Sequence, residues 1–65
     1  MYKFIDANFK FKVRIPYEPG SHDARRWLSD HSCTEHIDFE FDVHNDIIFY
    51  FLSKETALEF ALVFL

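Results

Sequence analysis

His31, Cys33 and His36 form an H-x-C-x-x-H run, and thiolate sulfur and imidazole nitrogen in such a run could touch a transition metal. The spacing matches no standard zinc site. A fourth ligand would have to come from His44 or from a carboxylate brought in by folding, so a polar loop is the simpler reading. Asp38, Glu40 and Asp42 could hold a divalent cation, but alternate positions on a strand spread their Cβ atoms along its length and do not converge them. Phosphate-cradling loops need several glycines, and this chain has one, Gly20. Acid/base catalysis needs groups gathered in a concave, water-excluding pocket, for which a domain this small is expected to have no room. The reading is therefore of a chain that is not an enzyme and uses no cofactor and no metal.

A length of 65 residues allows one domain, taken as residues 1–65, and such a domain buries only about 60% of its unfolded surface. Disulfides, a metal or oligomerisation usually add the missing stability. The single cysteine rules out an internal disulfide and favours a reducing cytoplasm. Nothing resembling a secretory leader opens the sequence, and the longest apolar run, residues 60–65, is far short of the roughly 20 residues that span a bilayer, so no membrane association is expected. Apolar residues make up 49% of the chain and aromatics 20%, nine of them phenylalanine, enough for a packed core. A net charge of −4 argues against general nucleic-acid affinity, which needs cations to displace the counterions of phosphate.

Three runs read as strands. Phe9, Phe11, Val13 and Ile15 alternate with Lys10, Lys12 and Arg14, a half-buried strand ended by Pro16. Tyr2 and Phe4 have the opposite parity, so Asp6-Ala7-Asn8 must hold a bulge or turn, which allows a short extra strand at 2–5. Ile37 to Val43 alternates strictly, whereas Ile47 to Leu52 has no polar face at all. A hairpin turning at His44-Asn45-Asp46 joins these two. The unbroken apolar strand should be central, with something covering its far side.

Two segments read as helices. Ser21 is a good N-cap, and Ala24, Trp27, Leu28 and His31 share one face of residues 22–31, leaving Arg25, Arg26 and Asp30 to water. Ser53 can cap a second helix from Lys54. There Leu58, Ala61, Leu62 and Leu65 make one apolar stripe and Ala57, Phe60, Ala61 and Phe64 an adjacent one, so burial over more than one side is expected. The order β-α-β-β-α predicts an α+β split βαβ: a three-stranded antiparallel sheet with both helices on one face, ferredoxin-like without its last strand.

On the open face of that sheet Lys10, Lys12 and Arg14 would form a basic edge, and His36, Asp38, Glu40, Asp42 and His44 an edge that is mainly acidic. Either Ile48, Tyr50 and Leu52 or Ile47, Phe49 and Phe51 would lie between them. Such rows can be solvated strand faces with weak pairing, or a docking face. The docking reading puts contact on Phe49, Tyr50, Phe51, Phe60 and Phe64, with Lys10, Arg14, Asp38, Glu40 and Asp42 setting partner choice. Single-strand nucleic-acid binding by Tyr50 or Phe49 is the rival, opposed by the acidic strand.

The stretch from Phe49 to Leu62, with Ala24-Arg25-Arg26-Trp27-Leu28 upstream, resembles small proteins of tailed bacteriophages that pair a Trp-bearing helix with an aromatic strand, a polar turn and an A-x-x-F-A-L helix. The likeness covers about 30 residues and carries no site residue. It implies an accessory viral protein or inhibitor acting in the host cytoplasm. The expected partner is protein, either a host target or a second copy in a homodimer.

Overall fold

The computed structural model describes residues 5–18 and 20–65 of the chain. The short strand expected at 2–5 lies outside them except for Ile5, which is not in a strand. Five elements follow in order: β1 (Phe11–Pro16), α1 (Gly20–Asp30), β2 (Phe39–His44), β3 (Asp46–Phe51) and α2 (Lys54–Phe64). The strands form one open sheet in the order β1-β3-β2, with both neighbours antiparallel to β3. The all-apolar strand is therefore the central one. Its register sets Phe49 between Val13 and Phe41, and Tyr50 between Lys12 and Glu40.

Local chemistry explains the boundaries. Asp6 accepts from Asn8 through its carboxylate and from Phe9 through its carbonyl, which makes the expected turn before β1. Pro16 pairs with Asp46 as the last residue of β1, where an edge strand tolerates a missing donor. Helix α1 starts at Gly20, so Ser21 lies within its first turn instead of ahead of it. Its far end closes as a Schellman motif, with Cys33 N donating to Leu28 O at 2.8 Å and Ser32 N to Ser29 O at 3.1 Å. Ser32 takes the left-handed position, φ 59°, that glycine usually fills. Asn45 does the same at the hairpin tip, φ 70°, a conformation its short polar side chain tolerates. Ser53 caps α2 by accepting from Thr56 N.

The core lies between the helices and one face of the sheet. Val13, Ile15, Ile47, Phe49, Phe51 and Phe39 point into it from the strands, and Ala24, Leu28, Ala57 and Phe60 from the helices. Phe60 is the meeting point, with ring centroids 5.0 Å from Phe49, 5.1 Å from Phe51 and 5.5 Å from Trp27.

Two expectations need correction. Helix α2 is buried along Ala57 and Phe60 only, with Ala61 and Phe64 half-covered, while the stripe of Leu58, Leu62 and Leu65 is exposed. It packs on the sheet through one side, because among the described residues no further element stands over the other. The second face of β3 is likewise without a helix or strand above it among the described residues. Ile48 and Tyr50 are only half-buried there, flanked in register by Arg14, Asp42, Lys12 and Glu40.

Candidate functional site: an apolar helix face and a cleft beside it

The residues expected to make contact separate into three groups. Phe49, Phe51 and Phe60 are fully buried and hold the core, so their rings are not available to a partner. Their periodicity placed them on a surface because one 65-residue core was not expected to hide so many aromatics, yet they pack on one another. Tyr50 and Phe64 keep part of their surface open, Tyr50 on the sheet and Phe64 beside Phe60 on α2. The charged residues divide as well. Arg14, Glu40 and Asp42 lie on the open sheet face, and exposed Lys10 precedes β1. Asp38 leaves that row. Its carboxylate accepts from Thr34 N at 2.8 Å, and its own N–H donates to Thr34 O at 2.8 Å. This closed loop places His36 at φ 71° and starts β2 at Phe39, two residues later than the alternation suggested. Ile37 is thereby left in the loop and exposed.

The outer side of α2 gathers four of the exposed large apolar residues on one short segment. Leu58, Leu62 and Leu65 are spaced i, i+4 and i+7 and are 55%, 86% and 78% exposed, with Val63 beside them. Exposed Glu55 and Glu59 border the stripe. An apolar run of this kind, rimmed with charge, marks a contact surface more often than an isolated exposed leucine does.

On the opposite flank, both helices pack on β1, α2 reaches β3 as well, and among the described residues neither packs extensively on β2. The uncovered side is a cleft of about 290 Å³ between α1, the 32–35 loop and the sheet. Leu28, Phe39, Phe41, Ile47 and Phe49 make its floor. Arg25 and Ser29, one turn apart from each other on α1, stand on its rim with Cys33 and Glu35. The expectation that so small a domain has no room for a concavity is corrected by this cleft: two helices do not span three strands. Its signal in the sequence was the i, i+3, i+4 set of Arg25, Leu28 and Ser29, where polar residues flank a core leucine on one side of α1.

The metal-like run does not assemble. His31 stacks on Trp27 with centroids 3.8 Å apart and bonds Trp27 O through Nδ1 at 2.8 Å. Cys33 packs against the core, and burial first, then the charges of Asp38 and Glu59, hold its thiol above the usual range. His36 faces Glu35 through Nε2 at 3.0 Å and Glu40 through Nδ1 at 2.9 Å. Among the described residues, Glu35, His36 and Glu40 are the set of three potential ligands lying within 4.8 Å of one another. Each carboxylate takes a different ring nitrogen, so no single point is shared by all three, and the geometry is that of a hydrogen-bonded imidazole. Asp38, Glu40 and Asp42 do not converge.

No family model, curated protein or solved structure matches the chain. No helix among the described residues is long and apolar enough to cross a membrane.

Proposed function

We propose that this is a non-enzymatic protein-binding module whose working contact is the outer face of α2. The observation that carries the reading is the exposure of Leu58, Leu62 and Leu65 in one stripe, a surface that water covers at a cost and a partner would cover at a gain. Without another target the partner is a second copy, and two stripes related by a two-fold axis form a homodimer. The likeness to small tailed-phage proteins supports a host protein as the alternative occupant of the same face, with the chain acting as an accessory protein or inhibitor in the host cytoplasm. The nucleic-acid reading loses support, since Phe49 is core and Tyr50 stands alone beside Glu40.

Sedimentation equilibrium at micromolar concentration tests the self-association. The expected mass is twice the 7.9 kDa of one chain. Leu62→Glu, at a position that is 86% exposed, should return the monomer with an unchanged circular dichroism spectrum. A wild-type protein that sediments as a monomer removes the homodimer from the reading.

A further inference from the structure

The cleft beside β2 lies away from the helix face proposed for protein contact, and its chemistry is different. Its floor is aromatic and aliphatic, and Phe41 is its most open part, half-buried where the rest of the floor is buried. Its rim carries two charges of opposite sign, and they are not equivalent. Glu35 is held 3.0 Å from His36 Nε2. Arg25 makes no ion pair or hydrogen bond among the described residues, so its guanidinium stands at the mouth of an apolar concavity without an anion. A planar guanidinium in that position offers a fork of N–H donors matched to a carboxylate. The Ser29 hydroxyl, on the same helix face, adds a neutral partner for a second oxygen.

The mouth is also fixed in shape. The Schellman turn folds Cys33 back against Leu28, and the Thr34–Asp38 closure ties the loop that follows. A concavity whose walls are tied before the ligand arrives spends little of the binding energy on ordering them. The volume is at the small end of the roughly 300–1,000 Å³ usual for ligand clefts, which suits one fused ring system with its polar group. At the loop end of the mouth the charges are negative, from Glu35 on the rim and Asp38 bonded to Thr34, so an anionic group belongs at the Arg25 end.

We propose that this cleft is a binding site for a small organic carboxylate with a flat apolar body, the ring over Phe41 and Phe39 and the carboxylate on Arg25. The site is independent of the α2 face, and either can fail without the other.

Naphthalene-2-carboxylate is a suitable probe, with naphthalene-2-methanol as its uncharged counterpart. Titration of the 65-residue chain, followed by amide and methyl NMR shifts, should give saturable changes at Arg25, Ser29, Cys33, Thr34 and the methyls of Leu28 and Ile47. The carboxylate should bind about tenfold more tightly than the alcohol, the size of one charge-assisted contact at a partly solvated rim. Arg25→Gln should erase that difference, and Arg26→Gln, one residue along and not on the cleft, should leave it. Bound carboxylate should also slow alkylation of Cys33 by iodoacetamide. Shifts centred on Leu58, Leu62 and Leu65, equal affinity for acid and alcohol, or no saturation at millimolar probe would each overturn the proposal. Ser29→Tyr, a variant that fills the cleft from an exposed helix position, provides a second check. It should abolish binding while the protein stays folded, and full binding in that variant would overturn the site as well.

Discussion

Strands β1 and β2 flank the same central strand, both antiparallel to it and both with apolar residues on alternate positions, yet they end up in different environments. Val13 and Ile15 of β1 are buried under the two helices. Phe41 of β2, at the same level as Val13, is half-open, and Val43, level with Ile15, is 47% exposed. Alternation tells which face of a strand turns inward. It does not tell whether anything arrives to cover that face. Cover is decided by where the helices land, and here both lean towards β1, which gives one flank of the sheet to stability and leaves the other as a recess.

The contrast can be broken most forcefully at the strand the flanks share. Phe49→Asp puts an unpaired carboxylate among Phe39, Phe51 and Phe60, a cost of several kcal/mol against a total that is small for this length. The expected result is an unfolded or aggregated protein by circular dichroism and light scattering. A soluble variant with an unchanged Tm would mean that Phe49 is not enclosed from both sides. The flanks themselves should then differ. Ile15→Ala should cost about 2–4 kcal/mol in urea denaturation and Val43→Ala, its level counterpart, less than about 1 kcal/mol. Equal losses would erase the distinction between the covered and the open edge.

A smaller effect, of opposite sign, is expected at the turn that shapes the recess. Ser32→Gly relieves a left-handed residue and should stabilise the protein by roughly 0.5–1 kcal/mol, after the entropy of the added glycine is subtracted. A loss of stability would show that the Ser32 side chain holds the loop. The smallest effect is at Cys33. Its thiol is held protonated in the folded chain above the ordinary range, so the native state binds more protons than the unfolded state there, and stability falls as pH rises through that range. Cys33→Ser should flatten this alkaline slope and leave the Tm at pH 7 within a few degrees. A large loss at pH 7 reversed by zinc would return His31, Cys33 and His36 to consideration as ligands.

Most of the frame was legible in the residues. The apolar run at 47–52 pointed to the centre of the sheet, Asn45 to the hairpin tip, Ser53 to the start of α2 and Asp6-Ala7-Asn8 to the first turn. What was not legible depended on distances between elements. Nothing in the periodicity of α2 says that its second stripe would stay open, because the stripe is buried or exposed according to a neighbour that this fold does not supply. The cleft was hidden for the related reason that a gap is a property of two helices and three strands together. Asp38 was misplaced by a local competition: its carboxylate and N–H close a loop on Thr34, and that loop outweighs two residues of strand pairing.

The strand order also has a consequence in time. Both outer strands need β3, and β3 is the last of the three described strands to be made. As the chain leaves the ribosome, β1 and α1 have only each other to cover their apolar faces, and β2 adds no pairing, since β1 and β2 are not neighbours in the sheet. The hairpin of β2 and β3 closes quickly through Asn45, but the pairing of Phe11 with Phe51 joins distant parts of the chain and must come late. The nascent domain is therefore at its most adhesive just before β3 has emerged. A fusion arrested after Asp46 should be bound by chaperones or degraded, whereas one arrested beyond Leu65 should resist protease.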